Sequence, residues 1–255
     1  MERQINVRLA NKVALITGGA AGLGLGMVER FAAEGAAIIM VDRDAQRGQA
    51  ETARLCDSGA DVRFIQADLA QPDAPAQIIE STLAASPQLD IVVNNAAVFL
   101  QKPIEEITLE GWDWLMAVNL RAPLLLVQAA LPALKASKGT ILNISSTAAL
   151  KVFSPNLTYI ASKAGLIAMT KSMAQELKPH GIRVNCICPG AVDTPALHRD
   201  LEIRGAPAGA LDALAARGLL TTPAEVAAVA LSLVSEDGGV LTGSIVVADA
   251  GAMLF

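Results

Sequence analysis

Short runs of apolar, often β-branched residues recur along the chain, separated by longer stretches with the apolar spacing of a helix. The predicted strands are 12–17, 37–41, 62–67, 90–94, 140–145, 183–188 and 244–248, and the predicted helices include 23–34, 45–56, 123–136, 159–177 and 223–233. Alternation of strand and helix predicts parallel crossovers, and strands that are apolar throughout predict a sheet covered on both faces. The pattern therefore predicts an α/β fold: a doubly wound parallel sheet of about seven strands with helices on both faces.

Length and composition limit the number of domains. The chain has 255 residues, of which 53% are hydrophobic and 18% charged, enough for one large globular domain or two small ones. No linker and no shift in composition interrupt the alternation, so we expect a single domain over 1–255. The least regular stretch, 196–222, is a candidate substrate lid.

Charge, hydropathy and metal-binding residue types exclude several classes of function. The net charge is −5 and the basic residues are scattered, so no nucleic-acid partner is expected. No apolar run has the length of a membrane span and the first residues lack a signal-peptide core, so we expect no membrane association and a cytoplasmic location. Three cysteines fit buried free thiols in a reducing compartment, and two histidines without partners at ligand spacing argue against metal and hydrolase sites.

A glycine-rich turn follows the first predicted strand and opens the first helix. Its sequence, TGGAAGLG from Thr17 to Gly24, can bring backbone close to a phosphate group at a helix N-terminus. Such a turn is weak evidence alone, because glycine also serves positive φ and tight packing. Asp42 strengthens it: this carboxylate lies at the end of the second strand, where an acid binds ribose hydroxyls and repels a 2′-phosphate. The two features predict NAD over NADP, although Arg43 could stack on adenine, pair with a 2′-phosphate or simply be solvated.

Tyr159 and Lys163 stand one turn apart at the start of a predicted helix. A tyrosine has a pKa of about 10, and a nearby positive charge favours its phenolate, which can then exchange a proton with an alcohol. The Tyr-x-x-x-Lys spacing also arises by chance, but Tyr159 is the only tyrosine in the chain. Ser145 and Ser146 close the preceding strand, where ligands gather in a parallel sheet, and either hydroxyl could hold a substrate oxygen.

Taken together, these motifs resemble the short-chain dehydrogenase/reductase family over nearly the whole chain. The matching pieces also include Asp68-Leu69, Asn94-Asn95-Ala96-Ala97, Asn119, Pro189-Gly190, Thr194 and Leu241-Thr242-Gly243. The resemblance implies a Rossmann-type fold, an NAD-dependent oxidoreductase acting on CH–OH, and a catalytic set of Asn119, Ser146, Tyr159 and Lys163. The serine spacing of the family selects Ser146 over Ser145. Without the family, Asn119 is more simply a polar residue in a helix that bonds to backbone.

The resemblance also assigns the cofactor site. It implies cofactor contacts from Gly18, Gly22, Leu23, Gly24, Asp42, Asp68, Leu69, Asn95, Tyr159, Lys163, Val192 and Thr194. In that scheme Asp68 and Leu69 frame the adenine, and Val192 and Thr194 hold the nicotinamide carboxamide. Asn119 helps a water relay protons away from the Tyr159–Lys163 pair. Three positions depart from the family: Ala97 and Ala250 replace usual glycines, and Ala149 replaces a frequent one, which affects pocket shape more than the reacting groups.

The predicted substrate wall is mostly apolar, comprising 98–100, 150–153, the surroundings of Asn156 and the lid 196–222. Its possible polar handles are Lys151, Asn156, His198 and Arg199. NAD preference favours oxidation of a polyol, sugar or similar hydroxy compound. The alternatives are a 3-oxoacyl thioester reductase of the same family, a cofactor-binding scaffold without turnover, and a nucleotide-sugar epimerase or dehydratase. The family further implies a homotetramer formed through 159–177 and 244–255, although both stretches could be core.

Overall fold

The computed structural model describes residues 7–152 and 156–254. Seven parallel strands form one sheet in the order β3-β2-β1-β4-β5-β6-β9, and a separate pair, β7 and β8, lies outside it. The strands are β1 Val13–Thr17, β2 Ala37–Asp42, β3 Val62–Gln66, β4 Ile91–Asn94, β5 Thr140–Ile144, β6 Arg183–Pro189, β7 Ala191–Val192, β8 Leu220–Thr221 and β9 Ile245–Ala248. The chain runs outward from β1 to β3 and then returns to place β4 on the other side of β1. The doubly wound Rossmann-type architecture is confirmed.

Helices cover both faces of this sheet. They are α1 Gly22–Ala33, α2 Ala45–Asp57, α3 Ala74–Ala85, α4 Leu109–Met116, α5 Ala122–Ser137, α6 Leu157–Leu177, α7 Pro195–Ile203, α8 Ala210–Ala216 and α9 Pro223–Val234. One core contains Phe31 of α1 and Leu231 of α9, and the other contains Leu126 of α5 and Met173 of α6. The central strands β1, β4 and β5 are buried along their full length. This burial is why the sequence of these strands is apolar without alternation.

All seven predicted strands of the main sheet are present, with ends that shift by one residue or less. The structure adds α3 and α4, which the helix prediction had not specified, and resolves the irregular segment 196–222 into α7, α8 and β8. Pairing of β7 with β8 joins the end of this segment to the chain just beyond β6. The two ends of the candidate lid are thereby held together beside the carboxyl end of the sheet.

One helical stretch differs from the expectation about membranes. Leu109–Ser137, which comprises α4, a π-helical turn and α5, is long and apolar enough by composition to cross a membrane. Half of its apolar window is buried inside the fold, where residues such as Leu126 and Leu134 pack on the sheet. Such partial burial is the pattern of a core helix, whose apolar face is needed for packing.

A chain of buried amides and hydroxyls links the sheet to α6. Asn94 Nδ2 donates to Asn143 Oδ1 at 2.8 Å, Asn143 Nδ2 donates to Thr170 Oγ1 at 2.8 Å, and Thr170 donates in turn to Leu166 O at 2.8 Å. Asn143 and Thr170 are fully buried. Because an unmade hydrogen bond is costly at such buried sites, these linked hydrogen bonds fix α6 relative to β4 and β5.

Candidate active site

The carboxyl ends of β1 and β4 meet where the order of strands reverses, the usual ligand-binding position in such a sheet. Thr17 organises this point. Its buried hydroxyl donates to Val93 O at 3.2 Å and accepts from the N–H groups of Asn95 and Ala96 at 3.0 and 3.1 Å. The Asn95 side chain donates to Thr17 O at 2.8 Å and to Gly18 O at 3.2 Å. The glycine-rich turn is therefore fastened to the end of β4.

Close backbone packing explains the glycines of this turn. Gly18 has φ +64°, and a Cβ there would lie 2.9 Å from Ala96 Cα. A Cβ on Gly24 would lie 1.9 Å from Gly18 O, so no side chain fits at that position. Helix α1 begins at Gly22 without a side-chain cap, which leaves its first N–H groups directed toward the turn. Gly22 itself packs against Thr194, so the segment after β7 lies beside the glycine-rich turn.

Asp42 lies at the end of β2 and braces the loops around it. One carboxylate oxygen accepts from Ala20 N at 3.1 Å, and the other accepts from Asp44 N at 3.1 Å. The side chain is half-buried, and its carboxylate keeps further acceptor positions free. Arg43, by contrast, is exposed.

The other residues that are expected to contact a cofactor lie at the ends of neighbouring strands or at a helix cap. Leu69 is buried, and exposed Asp68 accepts from Ala70 N at 3.0 Å in the turn after β3. Val192 is buried in β7. Thr194 caps α7 by accepting from Leu197 N at 3.2 Å, and its hydroxyl donates to Val192 O at 3.2 Å. These residues lie along the same edge of the sheet as Asp42 and Asn95.

Tyr159, Lys163 and Ser146 come together at the end of β5. The Lys163 ammonium lies 5.7 Å from the centre of the Tyr159 ring. Burial raises the pKa of Tyr159 to about 12, and a hydrogen bond with Ser146 partly opposes that rise. Ser146, rather than Ser145, therefore contacts the phenol. The Ser145 hydroxyl donates instead to Lys163 O at 2.9 Å, which anchors the first turns of α6 to β5.

The Lys163 side chain is almost fully buried, with 2% of its surface exposed. Its Nζ donates to Ile144 O at 2.7 Å. Burial lowers the pKa of Lys163 to about 8, and the neighbouring thiols of Cys186 and Cys188 oppose that shift. The ammonium is thus available at neutral pH but weakly held. All three cysteines of the chain are free thiols, and Cys56 is exposed.

Asn119 lies in the π-helical turn Ala117–Arg121 between α4 and α5. Its side chain accepts from Val98 N at 2.8 Å and donates to Val98 O at 3.0 Å and Ser162 Oγ at 3.1 Å. The side-chain amide therefore connects the loop after β4 to the first turns of α6. Pro123 has no N–H, so the Asn119 carbonyl cannot receive the bond that an α-helix would supply four residues later. The side-chain bonds to backbone agree with the simpler interpretation of Asn119 reached from sequence.

Several residues near Tyr159 were not singled out individually by sequence reasoning. The Phe99 ring stacks on Tyr159 with centroids 4.5 Å apart. Asp200 of α7, 9% exposed, contacts Gln101 Nε2 and pairs with Arg204 at 2.7 Å. The charge of Asp200 raises the pKa of Tyr159. The i,i+4 spacing of Asp200 and Arg204 within the segment 196–222 was the available sequence signal.

The residues proposed as polar handles have different surroundings. His198 Nε2 lies 2.7 Å from Asp193 Oδ1 with both side chains half exposed, and Arg199 is exposed. Asn156 is 3% exposed, and within the described part of the chain its Oδ1 has no hydrogen-bond partner. Leu150 and Lys151 are exposed. Phe153, at the end of the predicted wall 150–153, lies outside the described residues.

The departures from the family pattern have unequal consequences. Ala97 is exposed and has no positive φ, so a side chain is tolerated there without strain. Ala250 has φ +52°, in the left-handed region that favours glycine. The replaced glycine therefore matters for the backbone after β9 and not for the surroundings of Tyr159.

The sequence comparisons agree on a family. A sequence profile described as "Enoyl-(Acyl carrier protein) reductase" matches residues 18–253. Galactitol 2-dehydrogenase of Agrobacterium fabrum is 40% identical over 73% of this chain and 73% of its own length. Cyclopentanol dehydrogenase of Comamonas testosteroni is 34% identical over 96% and 98%, and a 3-oxoacyl-[acyl-carrier-protein] reductase of Chlamydia muridarum is 32% identical over 97% and 99%. The chain belongs to the short-chain dehydrogenase/reductase family.

Solved structures of this family extend the likeness to the fold. L-sorbose reductase of Gluconobacter frateurii, complexed with NADPH and L-sorbose, is 28% identical, with a TM-score of 0.91 over 98% of this chain and 100% of its own. As a member of this family, the 255-residue protein described above is an oxidoreductase acting on CH–OH groups. The turn in which Gly24 has no room for a Cβ, the uncapped start of α1 and the Asp42 carboxylate suit a nicotinamide dinucleotide, the cofactor class of the family.

Proposed function

We propose that the protein oxidises a secondary alcohol of the polyol or sugar type with NAD, and reduces the corresponding ketone in the reverse direction. The observation that carries the proposal is the Tyr159 phenol, which is hydrogen-bonded with Ser146 and has the Lys163 ammonium 5.7 Å from its ring centre. The bound nicotinamide would accept or return the hydride. The chain itself contributes the proton transfer and the positioning.

In this mechanism Ser146 donates a hydrogen bond to the substrate oxygen and Tyr159 takes its proton. The pKa of Tyr159, about 12 through burial, is too high for an effective base at neutral pH. A substrate hydroxyl and the Lys163 charge favour the phenolate, because positive charge and hydrogen bonds stabilise the ionised form. Lys163, held by Ile144 O, also lies where it could bind a ribose hydroxyl of the cofactor.

Asn119 completes the proposed catalytic set. Its side chain is occupied by Val98 and Ser162, so its contribution to proton transfer would come from the backbone carbonyl. Pro123 denies that carbonyl its α-helical partner, which supports a role in holding a water that relays protons from Lys163.

The remaining proposed contacts position the dinucleotide. Gly18, Gly22, Leu23 and Gly24 would approach the pyrophosphate, Asp68 and Leu69 the adenine, Asn95 the back of the site, and Val192 and Thr194 the carboxamide. The proposal of NAD over NADP rests on Asp42, because a carboxylate at the end of β2 accepts from ribose hydroxyls and repels a 2′-phosphate. The reductase of known structure that was solved with NADPH is a reason to test this preference directly.

The first experiment measures NADH formation over a panel of polyols, sugars, hydroxy acids, steroids and 3-hydroxyacyl thioesters, with wild type and Tyr159→Phe. We expect one class of alcohol to turn over with NAD and the variant to lose at least about 100-fold in kcat, the usual range for removing an acid/base. Circular dichroism and thermal unfolding establish that the variant is folded. Undiminished activity in a folded variant would reject Tyr159 as the acid/base.

The cofactor preference is tested with Asp42→Asn. Removing the charge should lower the ratio of kcat/KM with NAD to kcat/KM with NADP by about tenfold or more, since repulsion of a 2′-phosphate is lost. Asp44→Asn is the matched control: it is an exposed carboxylate two residues away that caps α2, and asparagine caps equally well. A wild-type preference for NADP would overturn this part of the proposal.

A second candidate is reduction of a 3-oxoacyl thioester, which the similarity to the Chlamydia muridarum reductase favours. It predicts NADPH consumption with an acyl thioester and no oxidation of polyols. The same substrate panel separates the two candidates.

We also propose a single domain whose segment 196–222 acts as a substrate lid, a homotetramer, and a cytoplasmic location. For the oligomer, Leu124 and Met169 line an open groove of about 640 Å³ on the outer side of α4, α5 and α6. Leu124 is 46% exposed, and at the far edge Val247 of β9 is 42% exposed. Apolar surface of this kind on an edge strand and a helical groove suits pairing with further copies. The location remains a prediction from the free thiols.

A further inference from the structure

Asp200 lies in α7, within the proposed lid, as a half-used hydrogen-bond acceptor. One of its oxygens contacts Gln101 Nε2 and the other pairs with Arg204 at 2.7 Å. A carboxylate offers about four acceptor positions, so two stay open. Its side chain is 10% exposed, whereas that of Arg204 is 36% exposed, and the open positions therefore face the interior under α7 more than solvent.

The surroundings connect Asp200 to the reacting phenol. Gln101 lies in the same loop as Phe99, whose ring stacks on Tyr159 at 4.5 Å. Thr158, next to Tyr159, donates to Leu100 O at 3.4 Å in the same loop. Asp200 is thus connected through Gln101 to the loop whose Phe99 ring touches Tyr159.

The Asp200–Arg204 pair acts on Tyr159 as a net negative charge. Asp200 raises the pKa of Tyr159 more strongly than Arg204 lowers it, and the carboxylate is the more buried of the two. An anionic substrate group at this position would be repelled, whereas a neutral hydroxyl could donate to the carboxylate with the strength of a charge-assisted hydrogen bond.

We propose that Asp200 selects neutral polyhydroxylated substrates, by accepting a hydrogen bond from a hydroxyl next to the reacting carbinol, and discriminates against hydroxy acids. This inference rests on the proposed alcohol oxidation at Tyr159. It makes Asp200 a specificity-determining residue, with Gln101 and Arg204 holding its carboxylate in place. It also narrows the substrate from the wider set of hydroxy compounds to one chemical class.

The test compares wild type and Asp200→Asn on three probes with NAD: galactitol as a neutral polyol, galactonate as the hydroxy acid of the same chain length, and cyclopentanol as an alcohol without neighbouring hydroxyls. We expect the variant to raise KM for galactitol by about tenfold or more, since a charge-assisted bond is weakened. The galactitol-to-galactonate ratio of kcat/KM should fall by at least as much, and cyclopentanol, compared on the plateau above the rising limb of its pH profile, should change less than about twofold. Glu202→Gln, an exposed carboxylate on the same helix, is the matched control and should change nothing.

A second readout distinguishes this role from a structural one. The polar and charged groups that act on Tyr159 are Ser146, Lys163, Cys188, Asp200 and Arg204. Removing the Asp200 charge should shift the rising limb of cyclopentanol oxidation to lower pH, because less negative charge opposes phenolate formation. A lid residue that only supports the fold would slow all three probes alike and leave that limb in place.

The outcomes separate the two proposals. If wild type oxidises cyclopentanol but prefers galactonate to galactitol, or if Asp200→Asn affects all probes equally, the role of Asp200 is rejected while the alcohol oxidation stands. If wild type oxidises no member of the panel, the proposed function itself fails.

Discussion

At the residue scale, the central feature is a pair of ionisable groups whose pKa values are both shifted in the direction that favours the neutral form of the group. The pKa of Tyr159 is raised to about 12 and the pKa of Lys163 is lowered to about 8, both chiefly through burial. Each shift costs folding free energy at the pH where the unfolded chain would be charged. The site is therefore strained electrostatically until hydroxyls and charges of its ligands compensate, which is common where side chains have a chemical role.

The pH dependence of stability follows from Lys163. Between pH 8 and 10.5 the unfolded chain holds a proton on this lysine that the folded protein has lost, so the free energy of unfolding rises with pH over that window. We expect wild type to gain about 2 kcal/mol relative to Lys163→Met between pH 8 and pH 9.5. Urea unfolding of both proteins across this range measures it, and common groups such as Tyr159 cancel in the comparison. Parallel pH profiles would mean that Lys163 titrates normally.

The buried polar chain gives a second prediction. Thr170→Val removes the acceptor of Asn143 Nδ2 at a site without water access and should destabilise the protein by about 1–3 kcal/mol. Thr82→Val is the matched control, because Thr82 is also fully buried in a helix but bonds only to Ile78 O of its own helix. Its cost should stay below about 1 kcal/mol. Equal losses in the two variants, measured by denaturant unfolding, would show that the Asn143–Thr170 bond contributes nothing special.

At the element scale, the helical stretch from α4 to α5 shows how a local irregularity serves the site. Its π-helical turn contains Asn119, and the proline at the start of α5 removes one backbone donor from that turn. Sequence periodicity predicted a helix at 123–136, and Asn119 was interpreted as a polar residue in a helix. It could not predict the extra residue in the turn, because the bonds from Asn119 to Val98 and Ser162 that stabilise it come from other elements.

The C-terminus of α5 offers a test of helix capping. Lys138 ends this helix in the left-handed region with φ +51°, which costs a residue with a Cβ about 1 kcal/mol. Lys138→Gly should raise the free energy of unfolding by about 0.5–1 kcal/mol. Lys138→Ala removes the same side-chain charge while keeping a Cβ, so it should produce no comparable gain. A gain in both variants would assign the effect to the lysine side chain and not to the backbone.

At the scale of the whole molecule, the sheet order places residues from five loops at one edge. The glycine-rich turn, Asp42, Asn95, Ser146 and Thr194 are far apart in sequence but follow the carboxyl ends of parallel strands or their extensions. A parallel sheet ends all its strands at the same edge, so the topology itself assembles the site.

The proposed homotetramer is tested at the outer groove. Leu124→Lys should shift the mass measured by light scattering at micromolar concentration from a tetramer toward smaller species, because burying an unpaired ammonium at an interface is costly. Ile203→Lys, at an apolar position of the lid helix that is 67% exposed, is the control and should leave the mass unchanged. A monomeric wild type would contradict the tetramer altogether.

The sequence by itself determined the strands, the main helices, the sheet type and the meeting of Tyr159 with Lys163, because these depend on local periodicity and on spacing within one helix. It also predicted the family, through motifs whose chemistry is local. Tertiary structure alone decided that the Asn119 side chain is used by backbone and Ser162, and that Asp200 contacts Gln101 in the loop that carries Phe99. Those relations depend on how distant elements pack and on burial, which a linear pattern of residue types does not contain.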